Sequence, residues 1–263
     1  MKSGGIRIVV AGAGGRMGQT LIEGVRADKS LALAAALDVR GSPAIGTTLG
    51  GVKVGSDAAK AIAAGDVLID FTRPEGTIEH LEICARLGKS IVIGTTGFSD
   101  PLRKAILRAG RRIPIAMSPN FAVGVNALFK LAEVAAGILG DDFDVEIVEA
   151  HHRNKVDAPS GTALKLGEVV ASALKRDLKK EAAHGREGDT GVRPDRQIGF
   201  HAIRGGDIVG EHTVIFAGAG ERVELTIRSQ SRMTYALGAL RAARFLRGKR
   251  PGVYDMNDVL GLS

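Results

Sequence analysis

Residues 6–18, IRIVVAGAGGRMG, decide the fold. Residues 6–11 are a nearly continuous apolar run, the pattern of a strand buried on both faces of a parallel sheet. Gly12-Ala13-Gly14-Gly15-Arg16-Met17-Gly18 follows at once, and Met17, Leu21, Ile22 and Val25 then recur at helical spacing. A glycine turn set between a strand and a helix points to a dinucleotide. Glycines permit the tight turn and let a pyrophosphate approach the backbone at the positively polarised start of a helix. The spacing is G-x-x-G-x-x-G at Gly12, Gly15 and Gly18, with Met17 where the commoner G-x-G-x-x-G has its third glycine. A glycine turn can also be only a turn, so the rest of the chain must support the reading.

Outward from this motif the pattern alternates. Residues 31–37 (LALAAAL) read as a second strand, and Asp38 stands at its end. An acid there accepts hydrogen bonds from the adenosine ribose, whereas Arg40, two residues on, can pair with a 2′-phosphate. Strand-like runs recur at 67–71, 90–93 and 113–116, with helical patterns near 57–63, 76–87 and 101–109. This predicts an α/β chain whose residues 1–122 form a Rossmann-like, doubly wound parallel sheet binding NADPH or NADH. Ligands of such sheets lie beyond the carboxyl ends of the strands. Three loops fall there: Phe71-Thr72-Arg73-Pro74, Gly94-Thr95-Thr96-Gly97 and Ser118-Pro119-Asn120-Phe121. Gly, Thr and Asn are also ordinary turn formers, but the loops share one end of the sheet.

The second half differs. Val125, Leu128, Leu131, Val134 and Ile138 mark an amphipathic helix. Residues 144–150 alternate as a strand, and residues 197–203, 211–216 and 222–227 do the same. Grouped strands predict a smaller α+β domain, 123–234, with a mixed sheet whose uncovered face and edges need a partner. Residues 181–196 are polar and Gly/Pro-punctuated and read as a long mobile loop, with His184 facing solvent. His201 and His212 read as structural. Residues 233–247 are helical in pattern.

Between strand and helix lies EAHHRNKVDAPSGTA, residues 149–163. Ser160 is suited to cap the helix that follows, with Gly161 and Thr162 in its first turn. The free N–H groups there, with His151, His152, Arg153 and Lys155, make a pocket for a small anion. Lys155 or a histidine can supply a proton. A plain helix cap is the alternative, and zinc a third, though no Cys or carboxylate stands at ligand spacing, so no metal is expected.

The run His151-His152-x-x-Lys155-x-Asp157-Ala158-Pro159-Ser160-Gly161-Thr162-Ala163 resembles the signature of the dihydrodipicolinate reductase family. The likeness extends from the glycine turn through Arg204–His212 to residues 255–260. It implies NAD(P)H-dependent reduction of a cyclic dicarboxylate in lysine and diaminopimelate biosynthesis. On that likeness His151 is the first candidate for the proton donor or acceptor and Lys155 the second. His152, Ser160, Gly161 and Thr162 bind the substrate, and Asp157 orients Lys155. Gly12, Ala13, Gly14, Gly15, Arg16, Met17, Asp38, Gly94, Thr95, Thr96, Ser118, Pro119, Asn120 and Phe121 hold the cofactor. The likeness also implies a homotetramer built through 123–234, and a C-terminal segment, 235–263, that returns to the nucleotide domain. The family follows its acid with a basic residue, whereas this chain has Asp38-Val39-Arg40, which leaves NADH and NADPH both open.

Composition sets outer limits. The 263 residues are 44% hydrophobic and 25% charged, an ordinary globular balance. A net charge of +7 could suit nucleic acid, but the basic residues are dispersed, Trp is missing and aromatics are 4%, so no nucleic-acid partner is expected. No apolar run approaches the roughly 20 residues of a membrane span. The single cysteine, Cys84, reads as core and fits a cytoplasmic protein. The rival readings are another two-domain reductase, such as a semialdehyde dehydrogenase with a catalytic cysteine, or a non-catalytic NAD(H)-binding regulator.

Overall fold

The structure, a computed structural model, describes residues 5–262. Residues 1–4 and 263, assigned above to the ends of the nucleotide domain, lie outside the described residues. The chain runs β1 (Ile6–Ala11), α1 (Arg16–Ala27), β2 (Leu31–Leu37), β3 (Thr48–Leu49), β4 (Val52–Gly55), α2 (Ala58–Ala64), β5 (Val67–Asp70), α3 (Pro74–Leu87), β6 (Ser90–Ile93), α4 (Asp100–Ala109) and β7 (Pro114–Met117). It continues through α5 (Val123–Leu139), β8 (Asp144–His151), α6 (Gly161–Ala173), α7 (Leu178–Glu181), β9 (Ala182–His184), β10 (Ile198–Arg204), β11 (Gly210–Ala217) and β12 (Arg222–Ser229). It closes with α8 (Met233–Leu246), β13 (Gly252–Tyr254) and α9 (Met256–Leu260). One compact unit takes in the chain through Val123 and again from Arg232; Gly124–Ser231 forms the other.

The first unit holds an eight-stranded sheet in the order β13-β7-β6-β5-β1-β2-β4-β3, parallel except for the β3–β4 hairpin. The winding reverses between β1 and β5, so a ligand crevice is expected beyond their carboxyl ends. Ile8, Val9 and Val10 are fully buried, as a strand covered on both faces requires. Gly18 lets α1 settle on β1: a Cβ there would stand 2.1 Å from the Gly12 carbonyl oxygen. Gly18→Ala is expected to cost about 1–3 kcal/mol, because the clash is backbone against side-chain root and no rotamer relieves it. Urea unfolding of the variant measures this. The α8 helix packs just as closely, for a Cβ on Gly238 would stand 1.7 Å from the Phe121 carbonyl oxygen. Its Ala236, Ala239, Ala242 and Ala243 are all fully buried.

The second unit is a five-stranded mixed sheet, β12-β11-β8-β10-β9. β8, β10 and β9 are parallel, whereas β11 is antiparallel to both β8 and β12. Val145, Ile147, Val214 and Phe216 turn to one face and form a core with Leu128 and Ala132 of α5 and Leu166 and Val170 of α6. The fold class expected from the sequence is the one observed.

One expectation needs correction. The stretch 181–196 is not an unstructured loop throughout, since Ala182–His184 joins the sheet edge beside β10. The remainder is tied down: Arg186 donates to both Glu146 oxygens at 3.0 and 2.8 Å, and Arg193 donates to Glu146 at 2.9 Å and to Asp144 at 2.6 Å. Burial would raise the Glu146 carboxyl, but hydrogen bonds from Arg186, His201 and Arg193 outweigh it and hold the group at about 2. His184 is exposed and stacks on Phe200 at 5.3 Å. Val123–Asp142 is long and apolar enough, by length and composition alone, to cross a membrane. Its buried Val125, Leu128, Ala132 and Ala136 face protein instead, and Lys130 pairs with Glu133 at 3.2 Å on its surface.

Candidate active site

The glycine turn stands at the carboxyl end of β1. Gly12 has φ +68°, a left-handed conformation that glycine adopts without strain. α1 opens on Gly15 with no side-chain cap and no acid in its first turn. Its leading N–H groups carry the helix's positive end without a side-chain cap, which suits a pyrophosphate. Arg16 is exposed beside them, while Met17 packs partly against the core. Ala13 is fully buried. Asp38 lies next to the turn, where one carboxylate oxygen accepts from the Gly14 N–H at 2.7 Å and the other from the Val39 N–H at 2.8 Å. Each oxygen retains a lone pair for a ribose hydroxyl. The residues present therefore fit a dinucleotide.

The other two loops pack around Phe71 and Phe121, whose rings lie 5.8 Å apart. A Cβ on Gly94 would stand 2.1 Å from the Phe71 ring, so only glycine fits. Thr95 is buried and shares a hydrogen bond with Thr77 at 2.8 Å, whereas Thr96 is exposed. The Ser118 hydroxyl donates to the Asn120 carbonyl at 2.8 Å, and Pro119 is exposed. Phe121 is buried.

In the second unit β8 ends at His151 and α6 begins at Gly161. Ser160 caps α6, its hydroxyl accepting from the Ala163 N–H at 3.2 Å. The same oxygen bonds His212 Nε2 at 2.9 Å, and Ser160 is 2% exposed. Its hydroxyl thus serves the helix and His212. Lys155 Nζ donates to both Asp157 oxygens at 2.7 and 2.8 Å. Hydrogen bonding from Lys155 lowers the Asp157 carboxyl. Asp157 is 56% exposed, so this pair is weak and a ligand carboxylate can replace it. His152 Nδ1 is buried and meets no hydrogen-bond partner among the described residues.

His151 Nδ1 lies 2.6 Å from Glu149 Oε2. Period-two alternation puts both side chains on one face of β8. Burial lowers the proton affinity of His151, and Glu149 opposes that. A Cβ on Gly210 would stand 3.1 Å from His151 Nε2, so glycine spares that nitrogen a tight contact. Three participants escaped the sequence reading: Glu149, Arg204 and His212. Arg204 forks onto Glu149 with two bonds of 2.7 Å. His212, read above as structural, borders the site: antiparallel pairing sets it opposite Glu149, and its ring meets His151 edge-on at 5.1 Å. Burial pushes its imidazole down to about 4. His201 instead bonds Glu146 at 2.7 Å.

Among the described residues no group of three or more His, Cys, Asp or Glu is arranged to hold a metal ion. Cys84 is fully buried and its thiol is pushed up to about 12 by that burial, which denies it a thiolate nucleophile's role.

A doubly wound sheet with an uncapped glycine turn at its switch point is the frame of a nicotinamide-nucleotide oxidoreductase. Sequence comparison narrows that class. Residues 6–121 match the model of the dihydrodipicolinate reductase N-terminus, and residues 124–260 match that of the C-terminus. This chain belongs to the dihydrodipicolinate reductase family. A 4-hydroxy-tetrahydrodipicolinate reductase from Aromatoleum aromaticum is 58% identical, covering 98% of this chain and 96% of that protein. One from Dechloromonas aromatica is also 58% identical, covering 97% and 98%. The dipicolinate-bound dihydrodipicolinate reductase of Paenisporosarcina sp. TG-14 superposes with a TM-score of 0.80 at 27% identity, covering 97% and 98% of the two chains. Aspartate semialdehyde dehydrogenase II from Vibrio cholerae, at 12% identity and a TM-score of 0.56, shares the fold alone.

Proposed function

We propose that this chain is a cytoplasmic oxidoreductase that uses NADPH or NADH to reduce 4-hydroxy-tetrahydrodipicolinate to tetrahydrodipicolinate, a step of lysine and diaminopimelate biosynthesis. The observation that carries the reading is the grouping of His151, His152 and Lys155 at the head of α6, in a chain that also holds an anion-ready glycine turn.

The bound nucleotide supplies the hydride. Residues 12–17 and the first amides of α1 take its pyrophosphate, and Asp38 takes the adenosine ribose. The 94–96 and 118–121 loops border the nicotinamide end. Lys155, His152 and the Gly161 and Thr162 amides bind the two substrate carboxylates. Ser160 contributes by holding that helix start in shape. His151 passes the proton at Nε2, and Lys155 stabilises negative charge that develops on the substrate.

Lys155→Ala tests the substrate side. Loss of a charge-assisted bond of about 1.5–3 kcal/mol weakens dipicolinate binding by roughly 10–150-fold and leaves NADPH affinity alone. Calorimetric titration with each ligand reads both, and unchanged dipicolinate affinity would sink the assignment. The second unit is also proposed to build a homotetramer. Support comes from the face of its sheet opposite the core, where Ile215 is half-buried and Thr213 bonds Thr226 at 2.9 Å across β11 and β12. Sedimentation of the intact chain as four copies is the expected result; a monomer would contradict it.

A further inference from the structure

We propose that Glu149 is a positioning residue of this reaction: it fixes the His151 imidazole with its resident proton on Nδ1, leaving Nε2 as the atom that exchanges a proton with substrate. The inference rests on the reading of the chain as a reductase in which His151 moves the proton.

Glu149 is 1% exposed in the interior of the second unit. Its carboxylate is bonded on every side. Arg204 Nη1 donates to Oε2 and Nη2 to Oε1, both at 2.7 Å. The Ser160 N–H donates to Oε1 at 3.0 Å, and His151 Nδ1 meets Oε2 at 2.6 Å. Burial would raise this carboxyl, but bonds from Arg204, His151 and Ser160 outweigh it and hold it below its ordinary value. The group is therefore ionised at neutral pH. An ionised carboxylate has no proton to give and can only accept. The short contact with His151 then requires the hydrogen to sit on Nδ1. A neutral ring with its proton there presents a bare Nε2, and a second proton can add or leave only at that atom.

The remaining contacts keep the ring in place. His212 meets it edge-on and is itself bonded to Ser160. Gly210 leaves the Nε2 side without a side chain. The charged or titratable groups facing His151 are Glu149 on its own strand, Lys155 on the following loop, Arg204 on β10 and His212 on β11. Of these only Glu149 is negative. Lys155 and Arg204 would repel a proton on His151, so Glu149 alone keeps the imidazole able to take one. A buried Arg–Glu pair kept for stability alone gains little over apolar packing. A third partner, the His151 imidazole held through Nδ1, is the arrangement expected of an orienting carboxylate.

The decisive measurement is the His151 tautomer in the intact, unaltered protein, read by long-range proton–nitrogen correlation after nitrogen-15 labelling of histidine and assigned with His151→Asn. A neutral ring protonated on Nδ1 is expected. Protonation on Nε2 overturns the proposal. The second arm is Glu149→Gln, which keeps the shape and removes the charge. Its kcat should fall about 10²–10⁴-fold while KM changes little. The limb of the kcat–pH profile set by His151 should move to lower pH, because the anion that favoured its protonation is gone. Glu149→Asp restores the charge and should bring the limb back. A circular-dichroism spectrum and a denaturant midpoint close to those of the unaltered chain show that the variants are folded, and a merely structural role would leave the limb unmoved. If Glu149→Gln does not fold, the tautomer decides. If the unaltered chain fails to oxidise NADPH or NADH with substrate present, the reductase reading falls, and the tautomer is still read independently.

Discussion

Replacing His151 with alanine lowers kcat by about 10²–10⁴-fold, the range typical of a positioned proton donor or acceptor. The loss should appear in kcat and kcat/KM together, because the proton moves only in the transition state. NADPH and NADH affinities should not change, since the glycine turn, Asp38 and the loops at 94–96 and 118–121 all belong to the other compact unit. Steady-state kinetics beside equilibrium nucleotide binding separates the two effects. A variant with unaltered kcat removes His151 from the chemistry and transfers the role to Lys155.

Replacing Arg204 with alanine should be the costliest single change for stability. Glu149 is 1% exposed, and it would lose two charge-assisted bonds of 2.7 Å while remaining buried. Breaking such a pair from one side costs about 3–5 kcal/mol, because the remaining charge is left without compensation. Arg204 also donates to the Asp157 carbonyl at 2.7 Å, so the loop bearing Lys155 loses an anchor in the same step. Denaturant unfolding should show the full loss in the single variant. Arg204→Ala combined with Glu149→Gln should recover part of it, since no buried charge then remains. Equal stabilities for Arg204→Ala and the unaltered chain would mean that water replaces the guanidinium without penalty.

The parallel sheet was legible because it is made of contiguous signals. β1 is an apolar run interrupted only by Arg7 and followed by glycines, and β5 and β6 repeat the apolar pattern. Elements without such a signal were missed. β9 is Ala-Ala-His, and β13 is three residues following a proline; each becomes a strand only because a neighbour offers its backbone, which local propensity cannot reveal. The loop at 151–162 was legible because its chemistry is concentrated in one stretch. Its supporting shell was not. Arg204 lies 55 residues from Glu149, and His212 lies 52 residues from Ser160. The parallel register of β10 on β8 and the antiparallel register of β11 on β8 bring them together. His212 resembled any inward-facing strand residue until that register set it opposite Glu149. α5 mixes a buried stripe with Leu131, Val134 and Ile138 on its outer face, so its average hydropathy is high without a continuous apolar run.

The most direct test of the whole account follows the absorbance of NADPH, and separately of NADH, with the intact chain and 4-hydroxy-tetrahydrodipicolinate generated in place. Oxidation that begins only when that substrate is being formed is the predicted result, and the two rates rank the nucleotides. Binding of both nucleotides with no oxidation of either would contradict the account, leaving a nucleotide-binding fold whose His151–Lys155 loop performs no reduction.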